Sequence, residues 1–197
     1  MPPVIASDDI RTNFKSFWDK YSGKPDNCAM MLNNNADELE SSDRADILSV
    51  MPNIVGKDAV DIGAGIGRFT TVLAETARHV LSTDFIDEFI KKNKERNSHL
   101  ENVDFAVGDA VHLDLSTNSV DFVFTNWLMM YMTDKETVEF VLKAIGWLRP
   151  AGYIHLRESC SEPSTGRRVD KDQVSMHDSG AVNPTSYRFS SLYINLL

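Results

Sequence analysis

Short apolar runs alternate with amphipathic segments from residue 58 to residue 157, and this alternation is typical of βαβ units. The apolar runs predict strands over 59–62, 79–83, 103–107, 120–125 and 153–157. Apolar residues recur at helical spacing over 68–77, 87–97 and 133–148. Because crossovers between parallel strands are right-handed, the pattern predicts an α/β fold with a central parallel sheet and helices on both faces.

The last of these predicted helices has clear end signals. Thr133 is followed three residues later by Glu136, which is the spacing of a capping box. Residues 149–152 (RPAG) predict its end, because proline and glycine interrupt helices.

A glycine-rich turn follows the first predicted strand. Residues 60–67 read VDIGAGIG, with glycine at three alternate positions. Glycine allows a tight turn and lets a ligand lie against bare backbone amides. A nicotinamide-binding turn would carry its third glycine one position later, where this chain has Arg68. Asp61, two positions before the first glycine, also differs from that fingerprint. The segment resembles motif I of the class I S-adenosylmethionine (AdoMet) methyltransferases, in which the carboxylate faces a cationic amino-acid tail.

Composition and charge limit the classes of function. A chain of 197 residues with 42% hydrophobic residues can bury the core of one domain. The net charge of −9 argues against a nucleic-acid partner, since phosphate backbones are bound by clustered Lys and Arg. No apolar run has the length of a membrane span, and the N-terminus lacks the pattern of a signal peptide. With Cys28 and Cys160 as the two cysteines, we expect a cytoplasmic protein. The scattered histidines predict no metal site.

Polar residues follow each predicted strand. In a parallel sheet the carboxyl ends of the strands meet at one edge, where ligands bind. A single polar residue after a strand needs no functional explanation, because polar residues are common in loops. A series of five at successive strand ends favours a binding site. The series consists of Asp61, Asp84, Asp109, Asn126 and Glu158.

Several of these residues have the chemistry of a nucleoside site. Asp84 can accept hydrogen bonds from both ribose hydroxyls, a feature that dinucleotide folds share. Asp109 and Ala110 resemble an adenine-binding motif, although Asp109 alone could equally cap a short turn. Asn126 would contact the methionine end of the cofactor. Arg68 is disfavoured at a helix start, and either a ligand carboxylate or exposure to solvent would relieve this.

Six longer segments together resemble one family, the phosphoethanolamine N-methyltransferases, and in particular its first-type methyltransferase domain. The resemblance extends from Phe17 to Arg188, and NWLMMYM with RESC carries most of its specificity. The segments are CAMML (28–32), DIGAGIGRFT (61–70), TDFIDEFIKKN (83–93), TNWLMMYMTDKE (125–136), GWLRPAGYIHLRESC (146–160) and NPTSYR (183–188).

This resemblance implies AdoMet-dependent N-methylation of phosphoethanolamine on the way to phosphocholine. Asn126-Trp127 also differs from the Asn-Pro-Pro-Tyr motif of enzymes that methylate bases or amides. The cofactor-binding residues implied are Asp61, Gly63, Gly65, Arg68, Asp84, Phe85, Asp109, Ala110 and Asn126. The substrate-binding residues implied are Ser159, Ser164, Thr165, Tyr187 and Arg188.

The amine of the substrate must lose a proton before it attacks, so a general base or water relay is required. Tyr131 and Tyr21 are our candidates for orienting the amine. Domains that perform the first step resemble this chain in carrying tyrosine at the position of Tyr131. The alternative for Tyr131 is an aromatic ring that only packs between helices.

A phosphate group requires donors, and arginine binds it in a bidentate manner. Arg157, Arg167, Arg168 and Arg188 follow or end the fifth predicted strand. We favour Tyr187 and Arg188 over Arg167-Arg168, which could belong to a solvated loop.

We divide the chain into an N-terminal helical cap (1–56), an AdoMet-binding core (57–158) and a substrate-binding segment (159–197). The last antiparallel strands of a class I methyltransferase sheet are not expected within 197 residues. The chain is then a fragment or shortened isoform, or it pairs with an extension or another chain. The alternative functions are a non-catalytic AdoMet-fold module and a methyltransferase for a different small amine or acid.

Overall fold

The computed structural model describes residues 7–160 and 185–196. Three helices precede the first strand: α1 (Ser7–Asp19), α2 (Asn27–Met31) and α3 (Ala36–Ser49). The strands are β1 (Asp58–Ile62), β2 (His79–Asp84), β3 (Val103–Val107), β4 (Val120–Asn126) and β5 (Leu148–Arg157). The remaining helices are α4 (Thr70–Ala74), α5 (Asp87–Arg96), α6 (Asp134–Trp147) and α7 (Ser190–Leu196). A short 3-10 turn, Met129–Tyr131, follows β4.

The five strands form one sheet in the order β3-β2-β1-β4-β5, and every neighbouring pair is parallel. The strand order reverses between β1 and β4, which is the position where open parallel sheets bind ligands. The predicted parallel sheet is therefore confirmed.

Alternate residues of β1 enter two different cores, one on each face of the sheet. Val60 and Ile62 pack in a cluster with Phe140 of α6. Ala59 packs on the opposite face in a cluster with Leu73 of α4. This period of two follows from strand geometry and confirms that helices cover both faces.

Two elements differ from the prediction by more than one residue. α4 covers five residues of the predicted 68–77, because the turn that begins after β1 continues through Phe69. β5 begins at Leu148, five residues before the predicted start, since Leu148 already pairs with Val120. The RPAG segment is therefore an irregularity within a strand, with Ala151 at φ +65°. The predicted capping box is confirmed, and α6 begins after Thr133.

The N-terminal helices bring aromatic side chains to the sheet. Phe17 and Trp18 of α1 join Phe89 of α5 and Tyr131 in one buried cluster. α1 therefore packs against the edge of the fold at which the strands end. Among the residues that the structure describes, no helix combines the length and hydrophobicity that crossing a membrane requires.

Candidate active site

A cavity of about 330 Å³ lies at the carboxyl ends of the five strands. Its lining includes every residue that the sequence predicts for cofactor binding, from Asp61 at the end of β1 to Asn126 at the end of β4. Tyr131, Ser159 and Tyr187 line it as well. Ser164 and Thr165 lie outside the described residues, as do Arg167 and Arg168.

The glycine turn has different hydrogen bonds from those expected. The backbone N–H groups of Gly63 and Ala64 both donate to Thr83 O, at 2.9 Å. The N–H of Gly65 donates to Asp84 Oδ2, also at 2.9 Å. The expectation of bare amides is therefore not met at these three positions, where the amides fix the turn against β2.

Asp84 is a buried carboxylate held by two backbone amides. Its oxygens accept from Gly65 N and from Ile86 N, both at 2.9 Å. Burial raises the pKa of Asp84 to about 6, although these hydrogen bonds act in the opposite direction. A hydroxyl or cationic ligand in the cavity would stabilise its charged form.

Asp61 is also buried, with 2% of its surface exposed. Thr70 Oγ1 donates to its Oδ2 at 2.6 Å. Burial, with a smaller contribution from the charge of Asp84, raises the pKa of Asp61 to about 7. Two buried acids that line one cavity favour a cationic group as the ligand.

Asp109 is paired with a residue that the sequence analysis missed. Arg11 of α1 donates from Nε and Nη2 to the two carboxylate oxygens of Asp109, at 2.8 and 2.6 Å. Its Nη1 donates to Tyr131 O at 2.6 Å. Because Arg11 lies 98 residues from Asp109, no local motif marks it.

Arg68 is buried, and acidic residues of α3 balance its charge. Its Nη2 lies 3.0 Å from Asp43 Oδ2, and its Nε lies 3.7 Å from Glu40 Oε1. Asp43 also contacts Arg157 Nη2 at 2.7 Å. These ion pairs relieve the unfavourable cation at the helix start, which is an explanation that the sequence analysis did not include.

The two candidate catalytic tyrosines differ in their exposure to the cavity. Tyr131 lines it, while its ring makes edge contacts with Phe14 and Trp18 at centroid distances of 5.7 and 5.5 Å. Burial raises the pKa of Tyr131, and nearby Tyr187, Glu158 and Tyr21 add to this. Tyr21 is absent from the lining and packs on Trp18 at 5.6 Å. Tyr131 therefore has a packing role and also reaches the cavity.

Glu158 and Arg188 hold the two ends of the 3-10 turn that carries Tyr131. The carboxylate of Glu158 accepts from the N–H groups of residues 128–130 at 2.9, 2.8 and 3.2 Å. Burial raises its pKa to about 7. Arg188 donates from Nη1 to Met129 O and from Nη2 to Met132 O, at 2.8 and 2.5 Å.

This placement does not support Arg188 as a phosphate ligand. Arg188 is 5% exposed and is absent from the cavity lining, and its Nε donates to Asp134 at 2.7 Å. The adjacent residue Tyr187 lines the cavity instead. Arg157 is engaged as well, since it pairs with Asp43 and its guanidinium lies 5.1 Å from the ring centroid of Trp127.

Comparisons with known proteins agree with the fold. Residues 60–156 match the family model of the methyltransferase domain. Phosphoethanolamine N-methyltransferase 1 of Caenorhabditis elegans is 71% identical over 187 residues, which cover 95% of this chain and 39% of that protein. Phosphoethanolamine N-methyltransferase 1 of Zea mays is 40% identical over 91% of this chain and 34% of that protein.

A solved structure is similar over nearly the whole chain. It is that of Haemonchus contortus phosphoethanolamine N-methyltransferase 1, in complex with phosphoethanolamine and S-adenosylhomocysteine. The TM-score is 0.90 at 64% sequence identity, and the match covers 98% of this chain and 41% of that one. The chain thus spans about two fifths of the length of its C. elegans and H. contortus relatives. Residues 60–156 thus match a methyltransferase domain, and nearly the whole chain is similar in sequence and structure to part of the phosphoethanolamine N-methyltransferases.

Proposed function

We propose that this chain binds AdoMet and transfers its methyl group to the nitrogen of phosphoethanolamine, a step toward phosphocholine. The observation that carries the proposal is the cavity, which contains all nine residues expected for the cofactor. The 64% identical H. contortus protein, whose structure holds phosphoethanolamine and S-adenosylhomocysteine, supports the same ligands here.

The chemistry of the cavity fits the cofactor. Asp61 offers a buried carboxylate to the ammonium of the amino-acid tail, and Asp84 offers one to the ribose hydroxyls. Asp109 and Ala110 lie after β3, where the adenine would bind. Bound there, AdoMet would supply a methyl group on a positively charged sulfur.

The tyrosines would orient the substrate amine. Its ammonium has a pKa of about 10, as in lysine, so a base or water relay must remove a proton before attack. Because the pKa of Tyr131 is raised, its hydroxyl stays protonated at neutral pH, and its lone pairs can accept an N–H from the amine. Such positioning is worth up to about 7–11 kcal/mol of the barrier. Tyr21, which does not line the cavity, would act through its electrostatic effect on Tyr131.

Ser159 and Tyr187 are the remaining described candidates for the phosphate, since both line the cavity and carry hydroxyl donors. Ser164 and Thr165 keep the roles that the family resemblance implies. We also propose that residues 1–56 form a cap over the core of residues 57–158, with 159–197 as the substrate segment. The contact of Arg11 with Asp109 supports the cap.

Titration calorimetry with S-adenosylhomocysteine tests the cofactor. We expect saturable binding to one site, and a folded sample that does not bind would overturn the proposal. A radiolabelled methyl-transfer assay with phosphoethanolamine, its monomethyl form and ethanolamine then tests the substrate. Ethanolamine as the preferred acceptor would exclude a phosphate site.

The second candidate is a module that binds cofactor without turnover. It is favoured by one observation, the coverage of about two fifths of the relatives. Methyl transfer that appears only after a C-terminal extension is added would support it. We place either function in the cytoplasm, where the thiols of Cys28 and Cys160 would stay reduced.

A further inference from the structure

A network of hydrogen-bonded, buried polar side chains leads from α5 to Asp61 beneath the glycine turn. Its members Thr70, Ser82, Asn93 and Asn97 are fully buried, each at 0% exposure. None of these four lines the cavity, whereas Asp61 does. Asp61 is therefore the member through which this network meets the cavity.

The hydrogen bonds of this network with an assigned donor run toward Asp61, and either hydroxyl can be the donor in the 3.0 Å contact between Thr70 Oγ1 and Ser82 Oγ. Asn97 Nδ2 donates to Asn93 Oδ1 at 2.8 Å. Asn93 Nδ2 donates to Ser82 Oγ at 2.8 Å and to Thr70 Oγ1 at 3.2 Å. Thr70 in turn donates its single hydroxyl proton to Asp61 at 2.6 Å. The carboxyl group of Asp61 thus stands at the acceptor end.

A series of hydrogen bonds that run in one direction stabilises the charged form of the terminal acceptor, because each bond polarises the next. Burial acts in the opposite direction and favours the neutral acid. The last glycine of the turn belongs to this arrangement, since a Cβ on Gly67 would lie 2.0 Å from Asn93 Oδ1. Gly67 therefore leaves room for Asn93.

We propose that Asn93 is a positioning residue that acts through Thr70 to keep Asp61 ionised and directed at an ammonium group in the cavity. The inference rests on the proposed function in one respect, that the cofactor supplies this ammonium. Of the charged neighbours, Asp84 on β2 opposes the ionisation of Asp61. Arg68, before α4, is paired with α3. Beside Asp61, β4 contributes uncharged Phe124 and Thr125.

The test is titration calorimetry with S-adenosylhomocysteine between about pH 5.5 and 8.5, which spans the pKa of a buried acid. A ligand ammonium needs ionised Asp61, so wild-type affinity is expected to fall as the pH drops. In Asn93→Ala we expect binding about threefold to tenfold weaker at pH 7, with the midpoint of the pH profile about half a unit or more higher. In a Thr70→Val background, the Asn93 substitution should have no further effect.

Asn102→Ala is the matched control. Asn102 Nδ2 donates to Ala74 O and Ala77 O at 2.9 and 3.0 Å. Asn102 belongs neither to the polar network that ends at Asp61 nor to the cavity lining. It should lose stability without moving the pH midpoint. If Asn93→Ala does not fold by circular dichroism, Asn97→Ser, one link farther away, should give a smaller shift in the same direction.

Three results would overturn the inference alone. The first is a wild-type pH profile of binding in folded Asn93→Ala, and the second is an equal shift of the pH midpoint in Asn102→Ala. The third is an effect of Asn93→Ala on binding that is as large in the Thr70→Val background as in the wild-type protein. Absence of binding by the folded wild-type protein at any pH would instead overturn the proposed cofactor, and the inference with it.

Discussion

Arg11 and Asp109 form a bidentate ion pair that joins α1 to the loop after β3. The side chains are 14% and 21% exposed, so the pair is only partly screened by water. The same arginine donates to Tyr131 O, which connects the adenine end of the proposed site with the tyrosine end. α1 thus contacts both ends of the cavity through one residue.

Removing this pair should loosen α1. In Arg11→Met we expect the free energy of unfolding to fall by about 1.5–3 kcal/mol, the range for hydrogen bonds to charged groups. The amide protons of α1 should then exchange faster, and S-adenosylhomocysteine should dissociate faster in stopped-flow experiments. Lys15→Met, an exposed position on the same helix, is the control. Unchanged exchange in α1 would show that the pair does not hold the helix.

The buried acids should make the ligand-free protein less stable as the pH rises. The folded-state pKa values of Asp61 and Asp84 are about 7 and about 6, above the ordinary carboxyl value. The folded state therefore binds more protons than the unfolded state between about pH 5 and 7, and its stability declines through this window.

Asp61→Asn should flatten this dependence and raise the free energy of unfolding at pH 8 by about 1–3 kcal/mol. Urea denaturation at pH 5.5, 7 and 8 measures the free energy of unfolding and its slope with pH. The exposed Asp46→Asn serves as the control and should leave the slope unchanged. A wild-type slope in the Asp61 variant would mean that this carboxyl is not the source.

Arg188 should matter for stability because its three donor groups serve the 3-10 turn and Asp134. Arg188→Met should lower the free energy of unfolding by about 3 kcal/mol, since it leaves buried carbonyl groups without donors. Arg78→Met is a matched control. Arg78 pairs with Asp58 at the surface, with its side chain 65% exposed, and its substitution should lower the free energy of unfolding much less. Equal losses in urea denaturation would contradict the assignment.

Two glycines with similar backbone conformations provide a test of packing. Gly67 and Gly56 have φ values of +81° and +70°, so alanine is strained at both. A Cβ would collide with Asn93 at Gly67 but meet nothing within 4 Å at Gly56. We expect Gly56→Ala to cost about 1 kcal/mol and Gly67→Ala about 3 kcal/mol or more. Thermal unfolding of the two variants measures the difference, and similar melting temperatures would argue against the collision.

The sheet and the cavity were predictable because their signals are local. Short apolar runs identify the strands, and parallel strands necessarily bring Asp61, Asp84, Asp109 and Asn126 to one edge. The partners of these residues were not predictable in the same way. Arg11 and Asp109 are 98 positions apart, and Asp43 and Arg68 are 25 apart, so only the packing of α1 and α3 brings them together.

Arg188 illustrates a second limit. A basic residue near a predicted anion site suggests a ligand contact, but its observed acceptors include the backbone carbonyls of Met129 and Met132. The amino-acid sequence does not show which backbone carbonyl accepts a side-chain hydrogen bond, because every residue carries one.

Asp43 has a consequence for anyone who wishes to shorten this protein. It contacts two guanidinium groups at once, one beside the glycine turn and one at the end of β5. A minimal protein that starts at the first strand would omit α3, and Arg68 would lose both of its acidic partners. The part of the chain from β1 onward therefore cannot be excised at the strand boundary without charge compensation. A transplantable unit has to begin before Ala36.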